Sequence, residues 1–235
     1  MSLTIEVLAG MANRLRAMVS AMCLAEDLGK PLRVIWSANN PACMARFETL
    51  FTGVPSWVTV VMGPIHENST MILTENDMND WIKLGATGLI RSYAHFYQKD
   101  STRWLAHLRA LKPMTSPEVP PNAIGVHIRR GDHQKAKLYS PIEAFISQMN
   151  TYPITTQFIV ATDSLIEKRT LQEHFGPRVI FHATSLSRMT QQGMKGAVDD
   201  FIALSKCSTI LGSYQSSFSE LAALYGDKPL HVIAV

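Results

Sequence analysis

Short apolar strands alternating with helical segments predict an α/β protein made of two Rossmann-like parallel-sheet halves. Three observations carry that expectation. The C-terminal half repeats the strand–helix alternation without a break from residue 123 to residue 235. The N-terminal half opens with the same strand–turn–helix–strand order over residues 3–36. Between them lies "LKPMTSPEVPPNA", residues 111–123, with four prolines and few apolar side chains. Proline fixes φ and steers the preceding residue away from helix, so this stretch reads as a linker. The expected division is a first domain over 1–112, a linker over 113–122 and a second domain over 123–235.

In chain order, "LTIEVL" (3–8) reads as a strand and "GMAN" as a turn. "RLRAMVSAMCLAEDLG" (14–29) reads as a helix with an apolar stripe at Leu15, Met18, Val19, Met22 and Leu28. "PLRVIW" (31–36) is the next strand. "WVTVVM" (57–62) and "TMILTE" (70–75) are strand candidates, residues 76–100 are mixed and rich in aromatics, and "STRWLAHLRALK" (101–112) reads as a helix. Past the linker come a strand at 123–128 and a helix at 140–150. Ser140 is the expected cap of that helix, Pro141 suits its first turn and Glu143 takes the capping-box position. A strand at 157–162 and a helix at 163–176, stopped by Gly176, follow. The rest reads as strand 178–182, helix 196–207, strand 208–212, helix 216–226 and strand 229–235. In a doubly wound sheet, ligands bind beyond the carboxyl ends of the strands, so the chemistry is sought there.

Composition narrows the function classes. The 235 residues are 46% apolar and 17% charged, with a formal charge of +3. No Lys/Arg block marks a nucleic-acid arm or a membrane-surface patch. The cysteines are Cys23, Cys43 and Cys207, an odd number without a CxxC pair, and read as small core residues in a reducing compartment. No apolar stretch is long enough to span a bilayer and no secretory leader is evident, so a cytoplasmic location is expected.

Four segments sit at expected strand ends. "AGMANRLR" (9–16) leads a glycine turn into a helix, whose first N–H groups attract anions. Gly10 also suits a plain tight turn, and Asn13 a plain cap. "HIRRGD" (127–132) places two arginines just past a buried strand. The guanidinium fork matches phosphate and keeps its charge. The competing reading is structural pairing with Asp132, Asp199 or Asp200. An integrin-type role for the RGD tripeptide does not suit a strand end in a chain without a leader. "GSYQSSFSE" (212–220) brings Ser216 and Ser217 to a helix start, as phosphate ligands or simply as a cap. "FIVATDS" (158–164) puts Asp163 at another strand end, as a cap or as an acceptor for base or ribose groups. There is no GxxxxGK[ST] loop, no GxSxG elbow and no DxD pair to chelate a divalent ion beside a diphosphate.

At these residues the chain resembles the fucosyltransferase superfamily that shares an HxRRxD-type motif, comprising α1,6-, α1,2- and protein O-fucosyltransferases. "HIRRGD" with "SPIEAF" downstream is most similar to the α1,6 group. "VATDS" and "VDDFIALSKCSTILGSYQSSFSELAAL" resemble its second and third motifs, and "GMANRLR" its N-terminal glycine–asparagine loop. The resemblance spans roughly residues 5–36 and 123–226. It implies a GT-B fold, two Rossmann-like domains facing across a cleft. It also implies inverting, metal-independent transfer of fucose from GDP-fucose to a glycan hydroxyl. Carried over by position, Arg129 would contact the diphosphate and stabilise departing GDP, with Arg130 assisting or bracing the loop. His127 and Asp163 would hold the guanine or ribose. Ser216, Ser217 and Phe218 would lie against the phosphates, while Gly10, Asn13 and Arg14 would close the site from the N-terminal domain. The α1,6 enzymes carry a glutamate base after the motif, whereas "HQKAKLYS" (133–140) has no carboxylate. Asp132 and His133, a carboxylate such as Glu75 or Asp77, or the leaving phosphate itself remain as proton acceptors. Trp81, Tyr93, His95, Phe96 and Tyr97 are aromatic candidates for the acceptor sugar or plain core residues.

The resemblance implies no bound cofactor and no metal, and GDP-fucose and a glycan as partners. Nucleic acid is not expected, and a homo-oligomer is compatible with the sequence. Two other readings keep the same fold: a glycosyltransferase using another nucleotide sugar, and a non-catalytic relative that binds a nucleotide or glycan.

Overall fold

The computed structural model describes residues 2–63, 69–85, 88–183 and 185–235. The chain divides into two compact units, Met1–Met114 with Arg188–Gln191, and Thr115–Ser187 with Gln192–Val235.

The first unit begins with strand β1 (Leu3–Val7), helix α1 (Met11–Asp27) and strand β2 (Leu32–Trp36). A short strand β3 (Phe51–Thr52) precedes β4 (Val58–Val61) and β5 (Ser69–Met71). Helix α2 (Glu75–Lys83), strand β6 (Leu89–Ser92), helix α3 (Ser101–Ala110) and strand β7 (Lys112–Pro113) complete it. The main sheet has the order β4-β2-β1-β6-β5, with every pair parallel. Successive strands move outward from β1 through β2 to β4, then return on its other side. The order therefore reverses between β1 and β6. Glu6, fully buried in β1, lies in register with Arg91 of β6, and their side chains pair at 2.9 Å. Such pairing is what lets a carboxylate sit inside a sheet layer.

Two features of this unit differ from the sequence reading. The strand expected over 70–75 ends at Met71 and helix α2 starts at Glu75. Thr74 caps that helix: its Oγ accepts from the Asp77 N–H at 3.1 Å, while Asp77 accepts from the Thr74 N–H at 2.8 Å. That reciprocal pair is a capping box and favours helix over strand at this point. Lys112–Pro113, expected as helix end and linker, instead pair antiparallel with Phe51–Thr52.

The second unit begins with β8 (Ile124–Ile128), α4 (Gln134–Tyr139), α5 (Ile142–Asn150), β9 (Phe158–Thr162) and α6 (Leu165–Phe175). It continues with β10 (Val179–Ile180), α7 (Gln191–Lys206), β11 (Thr209–Ser213), α8 (Ser217–Gly226) and β12 (Leu230–Ile233). The sheet order is β10-β9-β8-β11-β12, again all parallel. Val126, Ile128, Val160 and Leu211 pack one sheet face against Phe145 and Met149 of α5 and Leu171 and Phe175 of α6. Ile159 meets Ala203 of α7 and Cys207, just past its end, on the other face. Burying such side chains contributes roughly 1.5–3 kcal/mol each for the larger ones. Gly125 permits the close approach of α7, since a Cβ there would lie 2.9 Å from Leu204 Cδ2. Strand order reverses between β8 and β11, so the segments that leave these two strands flank the switch point where doubly wound sheets take their ligands.

Ser140 does not cap α5. Pro141 holds that position without a side-chain bond, while Ser140 Oγ accepts from the Tyr214 N–H at 2.8 Å and donates to Ile233 O at 2.5 Å. Among the described residues no helix is long and apolar enough to cross a membrane. The three cysteines are buried and free. Burial pushes the Cys23 thiol up to about 11 and that of Cys207 up to about 12, as expected of small core residues.

Candidate active site

Arg129, Arg130, Gly131 and Asp132 leave the carboxyl end of β8. Ser213, Tyr214, Gln215 and Ser216 lead from β11 into α8. The Arg129 N–H donates to Ser213 Oγ at 2.9 Å, and Ser213 Oγ donates to His127 O at 3.1 Å. These bonds lace the two strand ends together at the switch point. His127 is buried, its ring 4.9 Å from the Phe218 ring and its Nδ1 3.4 Å from Ser216 Oγ. Burial, helped by the Arg129 charge, lowers its pKa to about 3. His127 is therefore a neutral imidazole at physiological pH.

The two arginines have different positions. The Arg129 guanidinium pairs with the carboxylates of Asp132 and Asp163. The Arg130 side chain turns inward. Its Nε pairs with Glu167 of α6, and its Nη1 donates to Arg129 O and Ser140 O, both at 3.0 Å. Asp163 also accepts from the Arg130 N–H at 2.7 Å. One carboxylate thus fixes both an arginine side chain and the loop backbone beside it. Asp199 and Asp200, weighed from sequence as structural partners, are not the carboxylates that pair with these arginines; Asp132, Asp163 and Glu167 are. Asp163 does not cap α6, which is capped by Ser164, whose Oγ accepts from the Glu167 N–H at 3.4 Å. Gly131 makes the turn feasible. Its φ is +36°, and a Cβ would sit 2.7 Å from Asp163 Oδ2 and 3.0 Å from Arg129 Nη1.

Helix α8 starts at Ser217, with Ser216 as N-cap. The Ser216 hydroxyl makes no cap bond, so it does not occupy the first-turn N–H groups of Ser217, Phe218 and Ser219. These donors and the helix dipole favour an anion. Gly212 keeps the strand-to-helix crossing tight, because a Cβ there would meet Ser219 Oγ at 2.7 Å.

The remaining site candidates of this unit are committed to different degrees. His133 caps α4 with its Nδ1, which accepts from the Ala136 N–H at 3.0 Å. Its basic lone pair is thereby engaged, and Nε2 carries the ring proton in the neutral form. The Asp132 side chain is 69% exposed beside Arg129.

In the first unit, Gly10 is the N-cap of α1, with no side-chain cap bond and an ordinary φ of −73°. The left-handed residue of the turn is Ala9, at φ 64°. Asn13 lies in the first turn of α1 rather than at its cap. Its Oδ1 is buried and has no hydrogen-bond partner among the described residues. Arg14 is fully buried under the turn. Its Nε donates to Ala9 O at 2.8 Å, its Nη1 donates to Ser37 O at 2.7 Å, and its guanidinium lies 5.1 Å from the Trp36 ring. Those bonds hold Ala9 in a conformation that costs about 1–2 kcal/mol. Asp77 is occupied by the capping box of α2, whose backbone N–H groups hold its carboxyl below the usual range. Of the aromatic candidates, Trp81, Phe96 and Tyr97 are core residues, and His95 stacks 4.4 Å from Trp104. Tyr93 is exposed.

Asp200 is the residue whose position the sequence reading missed. It is buried in α7, where its Oδ1 accepts from the Ala183 N–H at 3.2 Å. Lys168 of α6 donates to Ala183 O at 2.7 Å. The peptide beyond β10 is thus clamped from both sides. A carboxylate among the apolar residues of "VDDFIAL" was the signal. Burial pushes the Asp200 carboxyl up to about 7, against the opposing pull of Ala183 N–H and Lys168. The folded chain therefore holds this proton more tightly than the unfolded chain, whose ordinary value is 3.8. The associated stability is full below about pH 4 and is lost as pH rises to about 7. Asp200→Asn should flatten that part of the profile and exceed wild type in stability at pH 8. Urea melts at pH 5 and pH 8 measure both proteins; parallel profiles would refute the assignment.

No protein-family model matches the chain. No curated protein matches it by sequence either. Solved structures do match. NodZ alpha-1,6-fucosyltransferase soaked with GDP-fucose aligns with a TM-score of 0.59 at 16% identity, over 96% of this chain and 93% of that one. NodZ from Bradyrhizobium aligns with a TM-score of 0.59 at 15% identity, over 94% and 92%. POFUT1 in complex with GDP aligns with a TM-score of 0.60 at 11% identity, over 100% and 98%. Two parallel sheets and an alignment along nearly the whole chain give this protein a GT-B-like α/β fold shared with these solved fucosyltransferases.

Proposed function

We propose that the protein is an inverting fucosyltransferase that moves fucose from GDP-fucose to a glycan hydroxyl without a metal ion. The observation that carries this reading is the convergence of Arg129, neutral His127 and the start of α8 on the switch point between β8 and β11. Arg129 and the first-turn N–H groups of α8 supply positive potential where the diphosphate would gain charge on leaving. Buried His127 and half-buried Phe218 form an uncharged wall beside it. Arg130 braces the loop from below, and Asp163 orients Arg129. The solved structures with the same fold include NodZ soaked with GDP-fucose and POFUT1 with GDP, which supports this class of donor.

In the proposed transfer, the acceptor oxygen forms a bond to the anomeric carbon on the face opposite the leaving group. The bond to the β-phosphate oxygen breaks with its electron pair, which leaves on GDP. Asp132 takes the acceptor proton. Its carboxylate is exposed and loses its cationic partner when the diphosphate engages Arg129. The Nδ1 lone pair of His133 is already bound to the α4 backbone. Within the first unit, taken by itself, the α1 N-terminus at Gly10 and Asn13 offers N–H donors to ligand oxygens, and Arg14 braces its turn.

Calorimetric titration in EDTA with GDP, GDP-fucose, GDP-mannose and UDP tests the reading. GDP should bind, the fucose conjugate should bind best of the sugar nucleotides, and transfer should persist in the chelator. A folded protein that binds none of them would overturn the proposal. Activity lost in EDTA and restored by Mn²⁺ or Mg²⁺ would overturn its metal-independent part.

A further inference from the structure

A pair of tyrosines stands beside the candidate site without a role in it. Tyr139 ends α4, which follows the arginine loop, and Tyr214 follows β11. Their rings lie 5.0 Å apart at 53°. Tyr139 is 41% exposed, although an aromatic ring of this size is ordinarily covered in a folded unit. Neither phenol hydroxyl makes a hydrogen bond among the described residues. The backbone under the pair, by contrast, is tightly fixed. Ser140 Oγ accepts from the Tyr214 N–H at 2.8 Å, Tyr139 O accepts from the Val235 N–H at 2.9 Å, and Ser140 O accepts from Arg130 Nη1 at 3.0 Å. The pair is therefore built onto the guanidinium that braces the arginine loop, at the carboxyl ends of β8 and β11. Around it, Lys135, Lys137 and Leu138 of α4 are exposed, and no carboxylate lies between His133 and Ser140.

We infer that Tyr139 and Tyr214 form a carbohydrate subsite that stacks a pyranose ring of the glycan acceptor. This rests on the fucosyltransferase reading for the word acceptor, but the capture of a sugar ring rests on the pair itself. A pyranose has an apolar C–H face that packs on an aromatic ring and a rim of hydroxyls that needs partners. Two rigid rings with hydroxyls that no protein group uses supply both at little entropic cost. The position explains why the acceptor rather than the nucleotide is the occupant. Tyr139 belongs to α4, which starts two residues after Asp132, the base of the proposed transfer, whereas the phosphate donors are Arg129 and the first turn of α8; Tyr214, two residues ahead of the α8 cap, joins the two sides.

Saturation-transfer NMR in the presence of saturating GDP tests the subsite, with N-acetylchitotriose, lactose and maltotriose as probes. Wild type should transfer magnetisation to at least one of them. Tyr139→Ala and Tyr214→Ala should each weaken that probe about five- to tenfold, the worth of one aromatic stacking contact. Tyr139→Phe, which keeps the ring, should weaken it about twofold. Thermal melts show whether the variants fold, and the Phe variant carries the test if an alanine variant does not. A protein that binds GDP but none of the three saccharides would overturn the inference, as would full binding by both folded alanine variants. Alanine variants that weaken GDP-fucose but neither GDP nor the saccharide would reassign the pair to the donor sugar. Should GDP itself not bind, the enzyme reading fails on its own, while the saccharide signal and its loss in the variants still decide the subsite.

Discussion

Arg129→Ala is expected to remove transfer activity by about 10²–10³-fold or more and to weaken GDP binding, while the protein melts close to wild type. In the proposed transfer the lost group is the one aimed at charge that develops on the diphosphate, and removal of a single such donor typically has that effect. The Arg129 side chain is 16% exposed, but the fold is expected to survive because neither of its carboxylate partners is left both buried and without a donor. Its partners Asp132 and Asp163 are 69% and 21% exposed, and Asp163 keeps the Arg130 N–H as a donor. Steady-state kinetics, GDP titration and a urea melt on one preparation settle the matter. A variant with normal activity per folded molecule but a lowered melting point would make Arg129 a structural residue and remove the centre of the proposed mechanism.

Arg130→Ala is expected to do the reverse in its first effect. It should destabilise the second unit by about 3 kcal/mol, because Glu167 is then left in a largely buried place without its cation. The side chains of Arg130 and Glu167 are 10% and 12% exposed. Two backbone carbonyls, of Arg129 and Ser140, lose their donor as well. GDP affinity of the folded fraction should also fall, since the Arg129 peptide is held by that guanidinium. Glu167→Gln should recover only part of the stability lost in Glu167→Ala, because its single amide oxygen can still accept from Arg130 Nε, whereas Ser164 Oγ, which donates to the other carboxylate oxygen, then meets the amide NH2. The double variant Arg130→Ala/Glu167→Ala should be less harmful than the sum of the singles. Additive losses would mean that the pair is not a coupled brace.

The alternation in the second half was legible because nothing competes with it. Strands β8, β9 and β11 are buried apolar runs and the helices between them turn an apolar side to the sheet, so period and burial agree there. The first half was harder for local reasons. The box formed by Thr74 and Asp77 is a helix start that the apolar run "TMIL" disguises as a strand. Strand β6, with Arg91 at its centre, does not look buried until Glu6 of β1 is placed beside it. That pairing is a tertiary fact. Ser140 and Asp163 fail as caps for the same reason. Both have the right chemistry to cap, and both are claimed by groups distant in sequence, Tyr214 and Ile233 for one and Arg129 and Arg130 for the other. At the candidate site, residue types and strand ends could be read from the sequence. The division of labour between Arg129 and Arg130 could not, because it depends on Glu167 reaching Arg130 from a different helix. Asp200 was visible as a carboxylate among apolar residues, but its burial and its clamp on Ala183 needed the fold.

The two carboxylates on Arg129 make ligand capture an exchange reaction. An incoming phosphate does not meet a bare cation but competes with Asp132 and Asp163 for the same fork. Part of the Coulombic gain is therefore returned as the cost of releasing a carboxylate, and the local charge changes less than a count of ion pairs suggests. Nucleotide affinity should accordingly fall less steeply with salt than it does at open arginine clusters.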